Sequence, residues 1–200
     1  MTSGHLGGAY HDKPDYNTWL PDIWERLIRT YDVHSVLDLG CGAGFSTIWF
    51  QARAGRVLGI EGDPVALASR KCDSIISHDY TTSPFVPVDV YDLGWCAEFV
   101  EHVEARYMAN WMATLQRCRY VCITFARPGQ GGHHHVNEQD EPYWLDRFKT
   151  AGFEHVPEET ARMRATSSGE AWGRPTLTFF RNRVIGHPDP SWLLEPLKAQ

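Results

Sequence analysis

Three glycines and two acidic residues lie where a ligand with a cationic end and a sugar would need them. The segment Asp38-Leu-Gly-Cys-Gly-Ala-Gly44 begins in a short apolar stretch, and Glu61 closes the next apolar stretch. Glycines in a strand-to-helix turn permit a sharp bend and a close approach of ligand to backbone. A carboxylate two residues before the first glycine repels a pyrophosphate but suits an ammonium group, while Glu61 suits two ribose hydroxyls. The pattern therefore disfavours a dinucleotide and describes S-adenosylmethionine.

The run Val36-Leu-Asp-Leu-Gly-Cys-Gly-Ala-Gly44, with Glu61 one strand later, resembles class I S-adenosylmethionine-dependent methyltransferases. The resemblance implies S-adenosyl-L-methionine as cofactor and S-adenosyl-L-homocysteine as product. It also implies that Asp79 contacts the adenine amino group, with His78 and Tyr80 flanking the base. The predicted cofactor-binding residues are Asp38, Gly40, Cys41, Gly42, Gly44, Glu61, Gly62, Asp79 and Tyr80. The alternative is a glycine turn that serves only tight packing, beside a solvated Glu61.

A second group of candidate functional residues follows the fourth apolar stretch. If the chain is helical from Glu98, then Glu98, Glu101 and His102 lie at i, i+3 and i+4 and share one face. Two carboxylates and an imidazole in a partly buried site require a cation or a shared proton. His135, in the glycine- and histidine-rich stretch after the fifth strand, is the preferred further ligand because it borders an apolar residue and Asn137.

The pattern E-x-x-E-H with a distal histidine resembles the metal site of small-RNA 3′-terminal 2′-O-methyltransferases. A shorter E-H-V version resembles ubiquinone-type O-methyltransferases. The resemblance implies that Glu98, Glu101, His102 and His135 bind Mg, Mn or another divalent cation that chelates vicinal hydroxyls. His102 and Glu101 are the catalytic candidates, and without metal His102 is a candidate general base. The alternative is a solvated helix face of glutamates and a mobile loop that carries the histidines.

Alternating strands and helices must position these residues. The predicted strands are 35–39, 56–60, 74–78, 90–95, 120–125, a strand near Phe153 and 176–181, and the predicted helices are 17–31, 45–54, 64–71, 99–117 and 143–151. This order predicts an α/β fold: a Rossmann-like, mostly parallel seven-stranded sheet with helices on both faces and an antiparallel C-terminal strand. The last two strands are expected to form a hairpin-like unit. Ligands bind such sheets beyond the carboxyl ends of the strands, where both groups of candidates fall.

Composition limits the domain count and the partners. The 200 residues, of 22.8 kDa, predict a single domain with an N-terminal helical lid at 1–32, a core at 33–183 and a tail at 184–200. A net charge of -6 opposes binding to nucleic acid or anionic membranes. Five cysteines without a CxxC pair, and no apolar run of about 20 residues, predict a cytoplasmic protein with reduced thiols and no membrane segment.

The sequence thus predicts a methyltransferase that acts on an oxygen of a small-molecule acceptor, with or without a divalent metal. Transfer to nitrogen or carbon is a less favoured variant. One alternative is an RNA 3′-terminal ribose 2′-O-methyltransferase, which the E-x-x-E-H pattern favours and the acidic charge opposes. The other is a non-catalytic S-adenosylmethionine-binding protein. The pattern leaves the choice between monomer and homodimer open.

Overall fold

A seven-stranded sheet with helices on both faces forms the body of the protein. The computed structural model describes Leu6, Lys13, Pro14 and the ranges 18–166 and 174–185. Most of the predicted lid before the first helix and nearly all of the predicted tail lie outside the described residues. The strand order is β3-β2-β1-β4-β5-β7-β6, which confirms the predicted Rossmann-like fold.

The elements follow the predicted alternation closely in the first half of the chain. The strands are β1 (Ser35–Leu39), β2 (Arg56–Glu61), β3 (Ile75–Ser77), β4 (Tyr91–Cys96), β5 (Cys118–Ile123), β6 (Phe153–His155) and β7 (Thr178–Asn182). The helices are α1 (Pro21–Tyr31), α2 (Phe45–Ala54), α3 (Pro64–Ala68), α4 (Met108–Leu115), α5 (Glu141–Thr150) and α6 (Pro157–Thr166). Short 3₁₀ turns cover Val100–His102, Ala105–Tyr107 and Arg174–Thr176.

The first five strands are parallel, so their carboxyl ends meet at one edge of the sheet. β1 lies between β2 and β4, and β5 extends the parallel set beyond β4. β7 runs antiparallel to both β5 and β6. The loops after all five of these strands therefore converge on one edge, and they carry the residues for which chemistry is predicted.

Two apolar clusters, one on each face of the sheet, hold the helices in place. On one face Trp111 of α4 and Trp144 of α5 are completely buried, together with Leu37 of β1. On the other face Trp24 of α1 and Phe50 of α2 pack near Trp95 of β4. Fully burying one such aromatic side chain contributes about 2–3 kcal/mol, so these clusters are the main source of the stability that fixes the loops.

The predicted helix over Phe99–Arg117 is confirmed only in its second half, where α4 covers Met108–Leu115, and is wrong before Met108. Two 3₁₀ turns precede α4, and Glu98 itself has a left-handed backbone with φ of 48°. A residue in that conformation cannot belong to a right-handed helix. Glu98, Glu101 and His102 therefore do not share one α-helical face.

The hairpin-like unit predicted for the last two strands is also corrected. β6 and β7 do pair antiparallel, but α6 lies between them in the chain. In addition, the first helix begins at Pro21 rather than at residue 17. Across the described residues, every helix is too short or too polar to cross a membrane.

Candidate active site

The three glycines of the β1–α2 turn have three different surroundings. Gly40, Gly42 and Gly44 all have positive φ, at 66°, 56° and 88°, which side-chain-bearing residues rarely adopt. A Cβ on Gly40 would lie 2.7 Å from the Phe99 ring, and one on Gly44 would lie 2.4 Å from Cδ1 of Ile75. A Cβ on Gly42 would meet no atom within 4 Å. Gly40 and Gly44 thus permit close packing, whereas Gly42 borders open space.

The Asp38 carboxylate connects the end of β1 to the start of α2. Its Oδ2 accepts hydrogen bonds from the hydroxyls of Ser46 and Thr47, both at 2.7 Å. Only 1% of Asp38 is exposed, and this burial raises its pKa to about 6 although the two hydroxyls act in the opposite direction. The carboxylate is therefore a buried anion that a bound cation would stabilise.

The Glu61 carboxylate, at the end of β2, forms hydrogen bonds with the glycine turn and with the residues that follow β2. Its Oε2 accepts from the Gly42 N–H at 2.7 Å, and its Oε1 accepts from the N–H groups of Gly62 and Asp63, both at 2.8 Å. Burial raises the pKa of Glu61, while these three backbone donors lower it. A carboxylate has about four acceptor sites, so three donors leave capacity for a further hydroxyl.

Asp79 and Tyr80 follow β3 and are held by neighbours. Oδ1 of Asp79 accepts from the N–H and the hydroxyl of Thr81, at 2.8 and 2.7 Å. The Tyr80 hydroxyl lies 2.9 Å from Oγ1 of Thr114, and burial raises the pKa of Tyr80. The His78 ring meets the Tyr80 ring edge-on at 4.7 Å. Tyr80 is thus a wall of the site whose hydroxyl is already bonded.

These residues surround one cavity of about 670 Å³, within the size range of small-molecule sites. The predicted cofactor-binding residues that line it are Asp38, Gly40, Cys41, Gly42, Glu61, Gly62, Asp79 and Tyr80. Gly44 is not among the lining residues because it packs on Ile75 instead. Sequence reasoning missed Phe99, which lines the cavity and packs on Gly40; its single aromatic ring in a loop gave no signal.

Glu101, His102 and His135 come together beside this cavity. One potential ligand atom from each lies within 4.8 Å of the others, and the two imidazole rings are 4.9 Å apart. Both carboxylate oxygens of Glu101 and Nδ1 of His102 are buried and have no hydrogen-bond partner among the described residues. A buried carboxylate without donors is costly, so a cation or a proton is needed there.

The electrostatics of the cluster agree with this need. Burial and the neighbouring Glu98 carboxylate raise the pKa of Glu101 well above its usual range. Burial and the nearby His135 lower the pKa of His102 to about 4. His102 is therefore neutral near pH 7 and keeps a nitrogen lone pair, which is the form that binds a metal or accepts a proton.

Glu98 also lies near this region, but contacts with Thr124 hold it there rather than the predicted helix. The Glu98 N–H donates to Oγ1 of Thr124 at 2.8 Å, and that hydroxyl donates in turn to Oε1 of Glu98, also at 2.8 Å. Glu98 lines the cavity but is not part of the three-residue cluster. Thr124, at the end of β5, thus fixes both the backbone and the carboxylate of Glu98.

The loop that carries His135 is bonded to the turn that carries Glu101. The N–H groups of Val136 and Asn137 both donate to the Glu101 carbonyl, at 2.9 and 3.0 Å. The Asn137 side-chain amide donates to the carbonyls of Val100 and Val103. His133 also lines the cavity, but neither it nor His134 belongs to the cluster. The sequence indicated Asn137 only as a neighbour of His135 and did not predict these contacts with Val100 and Val103.

Comparisons with known proteins agree with this geometry. A family model described as a methyltransferase domain matches residues 37–123. The sugar N-methyltransferase KedS8 from Streptoalloteichus sp ATCC 53650 is 15% identical with a TM-score of 0.63, over 89% of this chain and 94% of that one. CalS10, an amino pentose methyltransferase from Micromonospora echinaspora, is 16% identical with a TM-score of 0.62, over 84% and 92%. The methyltransferase domain of bacterial CtHen1 is 14% identical with a TM-score of 0.53, over 80% and 96%.

No curated protein matches the chain. At these identities the solved structures establish the fold, while the family model covers the stretch from β1 through β5 that carries Asp38, the glycine turn and Glu61. The cavity beside that turn is lined by Asp38, Gly40, Gly42 and Glu61. Residues 37–123 therefore match a methyltransferase domain, and the chain has the fold of class I S-adenosylmethionine-dependent methyltransferases.

Proposed function

We propose that the protein transfers the methyl group of S-adenosylmethionine to a hydroxyl oxygen of a small-molecule acceptor at a divalent metal centre. Glu101, His102 and His135 are the proposed ligands, with Glu98 as a fourth on the cavity wall. The observation that carries the proposal is the buried Glu101 carboxylate: neither oxygen has a hydrogen-bond partner among the described residues, and one lies within 4.8 Å of a nitrogen of each imidazole. The donor set of carboxylate and imidazole suits Mn, Fe or Zn, and it accepts Mg.

Residues on the β1, β2 and β3 side of the cavity are the proposed cofactor site. Asp38 would hold the ammonium group, Glu61 the ribose hydroxyls and Asp79 the adenine amino group. The sulfonium of S-adenosylmethionine supplies an electrophilic methyl group for in-line displacement. Because that methyl is already reactive, the chain needs mainly to orient the cofactor and the acceptor, and the fixed carboxylates of Asp38 and Glu61 serve that purpose.

Residues on the β4 and β5 side are proposed to receive the acceptor. A divalent cation there would supply Lewis-acid activation of an acceptor oxygen and a fixed point for vicinal oxygens. His102, neutral because its pKa is about 4, offers a nitrogen lone pair to a metal or, without one, to the acceptor proton. Phe99, between this side and Gly40, keeps the region near the reacting atoms apolar.

A terminal ribose of RNA is the second candidate acceptor. The assembly of Glu101, His102 and His135 favours it, since this is the pattern that resembles small-RNA 3′-terminal 2′-O-methyltransferases. The net charge of -6 opposes it, because phosphate binding relies on lysine and arginine. Methyl transfer to a short RNA with a free 3′-terminal ribose, falling steeply with added salt, would select this acceptor over a metabolite.

Chelation is the direct test of the metal centre. Transfer of labelled methyl into a pool of hydroxyl-bearing metabolites is expected to fall at least tenfold on chelation and to return with Mn or Mg. The His102→Ala variant is expected to lose both metal binding, measured by calorimetry, and most turnover. His34→Ala is the matched control, because His34 is exposed and lies before β1, at the opposite edge of the sheet. Transfer that is insensitive to chelation, with a native chain that binds no divalent ion, would overturn the proposal.

A further inference from the structure

The Glu138 carboxylate organises the loop that follows β5. Its Oε2 accepts from the Gly129 N–H at 2.8 Å, and its Oε1 accepts from the Gly131 N–H at 2.6 Å. Oε1 also lies 3.3 Å from Nδ1 of His135. One carboxylate thus connects the glycine stretch to the imidazole that is the proposed metal ligand.

The contact between Glu138 and Nδ1 of His135 determines which ring nitrogen of His135 is available to bind a metal. A carboxylate beside Nδ1 favours the tautomer in which Nδ1 carries the proton, and that tautomer leaves the Nε2 lone pair available. A Cβ at Gly132 would lie 2.5 Å from Nε2 of His135, so the loop accepts this ring only because residue 132 has no side chain. The ring is 10% exposed, which leaves it little room for another orientation.

We propose that Glu138 is a positioning residue that holds His135 in the Nδ1–H tautomer, with Nε2 directed to the metal. This inference rests on the metal centre proposed above. Hydrogen bonds of this kind fix the ring orientation and the basicity of a histidine ligand, and their loss weakens metal binding about 10- to 100-fold.

The Glu138→Gln substitution separates this role from loop closure. A glutamine offers one oxygen, whereas Gly129 donates to one carboxylate oxygen and both Gly131 and His135 face the other. The amide therefore cannot satisfy all three groups: with its oxygen on Gly129 its NH₂ group faces Nδ1 and favours the unprotonated form, and in the other orientation its NH₂ group faces the Gly129 N–H. Glu154→Gln is the matched control, because that glutamate also receives several donors, from Arg181 and Arg183, far from the cavity.

The first measurement needs no metal. Ring ¹⁵N chemical shifts of His135 in the metal-free protein are expected to show a protonated Nδ1 and a bare Nε2. In Glu138→Gln the population is expected to move towards protonated Nε2, while Glu154→Gln keeps the native pattern. A native protein with the proton on Nε2 would overturn the inference, as would an unchanged tautomer in Glu138→Ala, which removes both carboxylate oxygens.

The second measurement is Co²⁺ binding, followed by visible absorption. Glu138→Gln is expected to bind Co²⁺ at least tenfold more weakly and with an altered spectrum, while S-adenosylhomocysteine affinity stays within twofold of the native value. In a His135→Ala background the same substitution is expected to have no further effect on Co²⁺ affinity. Native Co²⁺ affinity in Glu138→Gln would overturn the positioning role, whereas absence of Co²⁺ binding by the native protein would overturn the proposed metal centre instead.

Discussion

At the scale of single residues, the Asp38 carboxylate meets opposing demands from folding and from ligand binding. Burial raises its pKa to about 6 from the ordinary value of 3.8, so folding alone favours its protonated form. The free energy of unfolding therefore decreases as pH rises from about 4 through 6, where the buried group ionises. The proposed contact with the ammonium group needs the ionised form, so a bound cofactor would reverse this preference.

The affinity for S-adenosylmethionine is expected to depend on the ionisation of Asp38. At pH 7 a group with a pKa of about 6 is mostly ionised, and at pH 5 it is mostly protonated. Since only the ionised form binds the ammonium well, the dissociation constant is expected to rise about tenfold from pH 7 to pH 5. Calorimetric titration at both pH values measures it.

Asp38→Asn provides the control for this pH dependence. An amide keeps an oxygen for the hydroxyls of Ser46 and Thr47 but does not ionise. The variant is expected to bind weakly and equally at both pH values. A native affinity that stays constant between pH 7 and pH 5 would show that Asp38 does not hold the ammonium group.

At the scale of elements, the β1–α2 turn divides its glycines between packing and binding. Gly44 precedes α2 and fits against Ile75 of β3, while Gly42 borders the cavity and donates its N–H to Glu61. Both have positive φ, so a side chain at either position brings similar backbone strain of about 1–2 kcal/mol. The two positions differ in what an added methyl group would touch.

Alanine substitution is expected to reduce mainly stability at Gly44 and mainly cofactor binding at Gly42. Gly44→Ala adds a clash with Ile75, so the free energy of unfolding is expected to fall by more than 2 kcal/mol. Gly42→Ala meets no atom within 4 Å and is expected to cost about 1 kcal/mol while weakening cofactor binding at least tenfold. Urea unfolding and S-adenosylhomocysteine titration of both variants test this. Equal stability losses in the two would refute the division.

Local patterns predicted the elements from β1 to β3 because each signal there lies within a few residues. The glycine turn marks the start of α2, and Pro64 in the first turn marks α3. By contrast, Glu98 adopts its left-handed backbone through a hydroxyl of Thr124, 26 residues away. A contact at that distance has no periodic signature, so the turns that replace the predicted helix were not foreseen.

Helix α6 was missed for a different reason. Its buried residues are Glu159, Thr160 and Met163, so the buried face is mostly polar and hydrophobic periodicity is weak. Glu159 is buried because it pairs with Arg26 of α1, which the sequence does not reveal. Most of the residues that line the cavity at the glycine turn were named from the sequence, whereas the contacts of Glu138 with Gly129 and Gly131 depend on a folded loop.

At the scale of the whole molecule, an ion pair connects α1 with α6, which are far apart in the sequence. Nε and Nη2 of Arg26 donate to the two carboxylate oxygens of Glu159, at 2.6 and 2.9 Å. The Glu159 side chain is 2% exposed and that of Arg26 is 29% exposed. Removing only the arginine would leave a buried carboxylate without its main donor.

Arg26→Ala is therefore expected to lower the free energy of unfolding by about 3 kcal/mol, at the low end for buried pairs because Arg26 is partly exposed. Arg29→Ala, which breaks the exposed pair with Glu25 on the same helix, is expected to cost less than about 0.5 kcal/mol. Urea denaturation compares the two variants. Similar losses in both would mean that the α1–α6 pair contributes no more than a surface contact.

The position of β7 between β5 and β6 has a consequence for biosynthesis. β6 is translated before β7, yet in the finished sheet its hydrogen bonds run to β7, which in turn connects it to β5. As the nascent chain emerges from the ribosome, β1 to β5 can assemble first. β6 then remains unpaired until its partner strand β7 has been synthesised. One edge of β5 thus stays open until residues 178–182 have left the ribosome, and over that interval its unpaired backbone groups can pair with another chain.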